Sequence, residues 1–167
     1  DGLAIAKTLE KQNDNNLNNI VAEIYADYGD DTNIDFMVNN MRNAKGFDLF
    51  SAMGDMGKYL KRCKPETVDK AIPAYESIAR SNPQWFFIFF ATNQLTAMAA
   101  EDQNRINELR KQIDDAQKSG KSTAELMQDE NEVKILTNQK ERLDKLVDDI
   151  KTKETDGYEA IQVGSGI

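Results

Sequence analysis

Leu95, Ala99, Asp102, Ile106, Leu109, Ile113 and Ala116 follow one another in steps of four and three. So do Leu126, Asp129, Val133, Leu136, Lys140, Leu143, Val147 and Ile150. Such spacing holds a narrow apolar seam on one face of each of two helices, the pattern of a coiled coil. The runs flank Lys118-Ser119-Gly120-Lys121, a turn that predicts an antiparallel hairpin. One register pairs Ala116 with Leu126, Leu109 with Val133, Ile106 with Leu136, Ala99 with Leu143 and Leu95 with Val147. It sets Asp102 opposite Lys140 as the register pair, the only oppositely charged layer of the seam. Ile113 then meets Asp129, a poor layer close to the open turn.

Ahead of the heptads the pattern is again helical. Leu3, Ala6 and Leu9 share one side of a first helix ending near Gln12, and Asn13, Asn15, Asn16, Asn18 and Asn19 weaken helix propensity behind it. Leu17, Ile20, Val21, Ile24, Tyr25 and Tyr28 form the next stripe, stopped by Gly29. Asp31 or Thr32 caps a short helix bearing Ile34, Met37, Val38 and Met41, closed by Gly46. Phe47 to Cys63 is a fourth, with Leu49, Phe50, Met53, Met56 and Leu60 inward, and Gly54 and Gly57 marking close packing. Lys64-Pro65 ends it. Val68, Ala71, Ile72, Tyr75, Ile78 and Ala79 define the next helix, which Pro73 must kink or split. Asn82 and Pro83 have the chemistry of an N-cap and a first helical position.

The helix they start is apolar on every side for two turns, through Trp85, Phe86, Phe87, Ile88, Phe89 and Phe90. Such a helix has to be surrounded, by the core of its own domain or by other subunits. Trp85, Phe86, Phe87, Phe89 and Phe90 are therefore the candidate interaction residues. After the turn, Ser122 and Glu125 have capping-box spacing. The heptads stop at Lys151, and the stretch beyond reads as a flexible tail with a brief extended segment at Tyr158 to Val163. The expected fold is all-α: a short-helix domain over 1–82 packed on the root of a long antiparallel coiled-coil hairpin over 83–153, then a tail over 154–167.

Composition narrows the function. The 167 residues carry a net charge of −8, with 30% charged and 40% apolar positions. That balance, without any basic stripe, argues against nucleic acid. No stretch approaches the ~20 apolar residues that cross a bilayer, and the acidic surroundings of the aromatic block disfavour anionic lipid. The chain opens at Asp1 with no signal-like segment, and its compartment stays open. Histidine is absent, which removes the commonest general base and metal ligand, and Cys63 is the single cysteine.

Candidate chemistry is sparse. Gly29 to Asp35 has oxygen ligands at alternate positions, as calcium loops do, but Phe36 stands where glycine is wanted and Arg42 where the closing glutamate belongs. A polar turn with helix caps is the better reading, and no metal site is assigned. Cys63, between Arg62 and Lys64, has cationic neighbours but no histidine or second thiol to work with. Met37, Met41, Met53, Met56, Met98 and Met127 fall on apolar faces and read as core filler. Neighbouring carboxylates such as Asp114-Asp115 point apart on a helix. No catalytic residue and no cofactor is expected. The expectation is a non-enzymatic structural or assembly protein, such as a component of a virion, filament or secretion assembly, contacting other subunits through the hairpin arm and the aromatic helix. Protein is the expected partner, in a homo-oligomer or larger assembly. The alternative is an acidic helical adaptor or chaperone-like module for a single client.

Overall fold

The computed structural model describes the backbone of residues 1–81 and 84–165, and their side chains as far as Lys153. Among the described residues the chain is all-α: seven helices and one 3-10 turn, with no strand. It divides into two compact units, Asp1–Gln94 and Leu95–Ile167.

In the first unit, α1 (Gly2–Lys11) is capped by the Asp1 carboxylate, which accepts from Leu3 N at 3.1 Å. Asn13 adopts φ 50°, a left-handed value that asparagine tolerates, and so breaks the chain where the asparagine-rich patch predicts. Asp14 then caps α2 (Asn15–Tyr28) by accepting from Asn16 N at 2.9 Å. α2 ends at Gly29, whose backbone is extended at φ −70° and ψ 172°, and a Cβ there would lie 2.7 Å from Tyr25 O, so glycine fits where a side chain would not. The following 3-10 turn (Asp31–Asn33) is capped by Asp30 in a reciprocal box with the Asn33 side chain, and α3 opens on Asn33 rather than on Asp31 or Thr32. α3 spans Ile34–Asn43 and α4 Phe47–Leu60. Gly46, at φ +60°, opens α4 rather than closing α3, since Ala44 is already extended.

α4 stops at Leu60, short of the expected Cys63. Arg62 N and Cys63 N turn back to Tyr59 O and Leu60 O in tight i to i+3 bonds, which frees Arg62 to reach α2. α5 (Pro65–Ser81) starts on its proline and is not split by Pro73. Pro73 lies on the exposed face, where a missing N–H is least costly. The helix start predicted at Asn82-Pro83 lies outside the described residues.

The first core is built from Met37, Met41, Met53 and Met56 around Tyr25, Tyr59 and Tyr75, all fully buried or nearly so. Flexible thioethers fill the irregular gaps between rigid rings. Each tyrosine hydroxyl has an acceptor: Glu10 Oε2 at 2.5 Å for Tyr25, Asp30 O for Tyr59 and Met53 O at 2.7 Å for Tyr75. Met98 is buried as well, whereas Met127 is exposed and fills no core.

α6 (Trp85–Ser119) and α7 (Thr123–Ser165) are long; the first unit takes in the first turns of α6, which pack on α4. In the second unit Ile106, Leu109 and Leu136 form a buried cluster with Val133 against it. Arg105 Nε meets Glu132 Oε1 at 3.3 Å. The backbone of α7 stays helical to Ser165 where an extended segment at 158–163 was expected; a lone glycine such as Gly157 costs only about 1 kcal/mol in a helix, and Glu159, Ala160 and Gln162 favour one. Whether residues 154–167 make a loose tail lies outside the described side chains.

Candidate interaction surface

The first turns of α6 present six large apolar side chains, and α4 covers one side of them. Phe50 on α4 is the centre. Its ring stacks on Phe87 at 4.6 Å and on Phe86 at 5.8 Å, and meets Phe90 edge-on at 5.3 Å. Such offset and edge arrangements add about 0.5–1.5 kcal/mol per pair to the burial itself. Phe87, at 4% exposure, is the only fully buried ring of the block.

The other side of the helix is exposed among the described residues. Trp85 is 68% exposed and Phe89 58%, with ring centroids 6.5 Å apart, and Phe86 is partly open between them. Phe47, one turn before Phe50 on α4, is 89% exposed. Of the five candidate interaction residues, Phe87 serves the core, Phe86 and Phe90 are shared, and Trp85 and Phe89 face outward. Phe47 was missed, because its position at the start of a helix carries no periodic signal.

Gly57 explains how α6 comes so close to α4. A Cβ at this position would lie 2.3 Å from Gln94 Oε1, so the Gln94 side chain rests on the glycine. Gly54, the other glycine expected to mark close packing, faces open space.

Behind this surface a polar junction ties α2, α4 and α5 together. Arg62 donates to Gly29 O at 3.0 Å, Tyr25 O at 2.9 Å and Ala26 O at 2.5 Å, capping the carbonyl end of α2. Asp31 Oδ2 accepts from Lys64 N at 2.9 Å and Thr67 Oγ1 at 2.6 Å at the start of α5. Hydrogen bonds from Thr67 and Lys64 hold the Asp31 carboxyl below its usual range, and those from Thr32 do the same for Asp30. Of the oxygens that suggested a calcium loop, those of Asp30, Asp31 and Asn33 are thus committed to caps. Among the described residues no group of three metal-ligating side chains converges.

Burial also sets the protonation of Cys63 and Asp55. Burial pushes the Cys63 thiol up to about 11 against a smaller opposite pull from the Tyr59 side chain, so it is protonated at neutral pH. Asp55 on α4 is half-buried, and desolvation with Glu23 nearby raises it to about 6, against a smaller opposite pull from Lys58. Lys58 itself pairs with Asp27 across α2 and α4.

Of the expected register pair, Asp102 is buried, while Lys140 is half-buried and pairs with Asp144 one turn along its own helix at 2.7 Å. No helix among the described residues is long and apolar enough to cross a membrane. No family model, curated protein or solved structure matches this chain.

Proposed function

We propose that this chain is a non-catalytic assembly protein that joins other subunits through the exposed aromatic face of α4 and α6, with α6 and α7 paired as an antiparallel coiled-coil arm. The observation that carries the reading is the outward set of Trp85, Phe89 and Phe47 beside a well-packed Phe50–Phe87 stack. Burying a tryptophan or phenylalanine from water stabilises by roughly 1.5–3 kcal/mol each, so leaving three uncovered is favourable only where something else covers them.

The arm rests on three features of the second unit. Gly120 at φ +69° with Lys121 N bonded to Ala116 O at 3.1 Å is a Schellman ending, which turns the chain within three residues. Ile106, Leu109, Leu136 and Val133 cluster in the combination that the heptad register pairs as Ile106 with Leu136 and Leu109 with Val133. Arg105 and Glu132, each preceding an a position, flank those two layers.

Light scattering on the full chain tests the proposal. Expected is a discrete oligomer at micromolar concentration that Trp85→Ser with Phe89→Ser dissolves to monomers of unchanged helicity. A parent chain that stays monomeric at the highest attainable concentration overturns self-assembly and moves the reading to an adaptor.

A further inference from the structure

We infer that the polar layer of the α6–α7 seam is Asp102 with Gln139, the Gln139 amide donating to the Asp102 carboxylate, and that this layer fixes the alignment of the two helices. The inference rests on the arm reading above. Away from the turn, where Asp129 is half-buried, the described seam is otherwise apolar, with Leu95, Ala99, Ile106, Leu109, Leu136 and Leu143 all buried. Within it Asp102 is 7% exposed and Gln139 fully buried. With Ile106 level with Leu136, the next layer away from the turn brings Asp102 to Gln139 and Lys140. Of that neighbouring pair it is Gln139 whose side chain enters the seam, while the Lys140 ammonium sits on Asp144.

The chemistry fits the geometry. A carboxamide has two N–H donors and a carboxylate only acceptors, so the pair matches without stripping water from an ammonium. A slide of one heptad would set Asp102 against Val133 or Val147 and Gln139 against Leu95 or Leu109. Buried polar atoms would then face hydrocarbon, which costs more than the aligned layer. A single polar layer of this kind lowers stability but selects one register.

The test uses the full chain carrying Cys63→Ala and two cysteine reporters. Leu109→Cys with Val133→Cys reads the aligned register, and Leu109→Cys with Leu126→Cys reads a one-heptad slide. In the parent, disulfide forms in the first pair only. In an Asp102→Leu, Gln139→Leu background the slid-to-aligned ratio rises about tenfold or more, and Lys140→Leu leaves it unchanged. Gln139→Glu is a second probe: it sets two carboxylates together, lowering the melting temperature at neutral pH and restoring it in acid. The same change at Lys140 sets a carboxylate beside the exposed Asp144 instead, so its acid-reversible loss is the smaller of the two. An unchanged ratio in the double-leucine background, an inert Gln139→Glu, or release by Lys140→Leu instead of the Asp102–Gln139 change overturns this inference while leaving the arm standing. A folded parent that forms no 109–133 disulfide overturns the arm itself.

Discussion

Arg62 shows how much one surface residue can organise. Its guanidinium fans over three carbonyls at the end of α2, where the helix dipole concentrates negative partial charge. Hydrogen bonds to a charged group contribute about 1.5–3 kcal/mol each at most, and they are not additive when one head makes all three. Arg62→Ala is expected to destabilise by about 2–3 kcal/mol in urea titration. Arg62→Lys should recover only part, because an ammonium cannot reproduce the planar fork. Asp55 works the other way. Its carboxyl is raised to about 6 in the folded chain from an ordinary 3.8, so the folded state binds that proton more tightly. Below about pH 4 the group is protonated folded or unfolded and contributes no difference. Between pH 4 and 6 its ionisation increasingly opposes folding, and above 6 the loss is complete. Discounted for partial solvent access, the penalty at neutral pH is on the order of 1 kcal/mol. Melting curves of Asp55→Asn should therefore run higher than the parent at pH 7 and converge with it near pH 4.

The helices themselves were largely legible, since 3.6-residue periodicity, Gly29 after one stripe and Lys64-Pro65 as a break between two others are local signals with local causes. Boundaries failed where a distant partner decided them. α4 ends early because the chain turns to deliver Arg62 to α2, and nothing near Arg62 in sequence records that carbonyl end. One buried polar residue of α7, Gln139, falls outside the apolar heptad positions, for a geometric reason. A straight helix drifts about 20° per heptad against a seven-residue repeat, so a flanking position rotates inward after several turns. Gly54 and Gly57 carry the same lesson, because the sequence marks both for close packing and only one is approached. A Cβ at Gly54 would have nothing within 4 Å, whereas one at Gly57 would strike Gln94. Gly54→Ala should raise stability by about 0.5–1 kcal/mol through helix propensity alone. Gly57→Ala should lose that gain to the displaced Gln94, and Gly57→Ala with Gln94→Ala should recover it. Chemical denaturation of the three variants checks the order.

At the scale of the whole chain, the aromatic face and the charge act in opposite directions on self-association. Each copy carries −8, so two copies approaching through Trp85, Phe89 and Phe47 repel at long range while their rings attract at contact. Salt separates the two effects, because the Debye length shrinks from about 30 Å at 0.01 M to about 3 Å at 1 M while the apolar contribution remains. Self-assembly by this face should therefore tighten as sodium chloride rises from about 0.02 to 0.5 M, a range that spans the screening of surface charge. An acidic adaptor holding a basic client behaves in the opposite sense, since the attraction that steers and holds such a pair is itself screened. Sedimentation velocity across that salt series decides between them. Phe87→Ala belongs in the same experiment as a control on folding: its ring is buried on Phe50, so its loss should cost about 3–5 kcal/mol of stability. Trp85→Ala, on the exposed side, should leave the melting temperature of the dilute chain nearly unchanged and remove the salt-strengthened oligomer. If both variants lower the melting temperature equally, the outward ring is supporting its own fold, and the face is no docking surface.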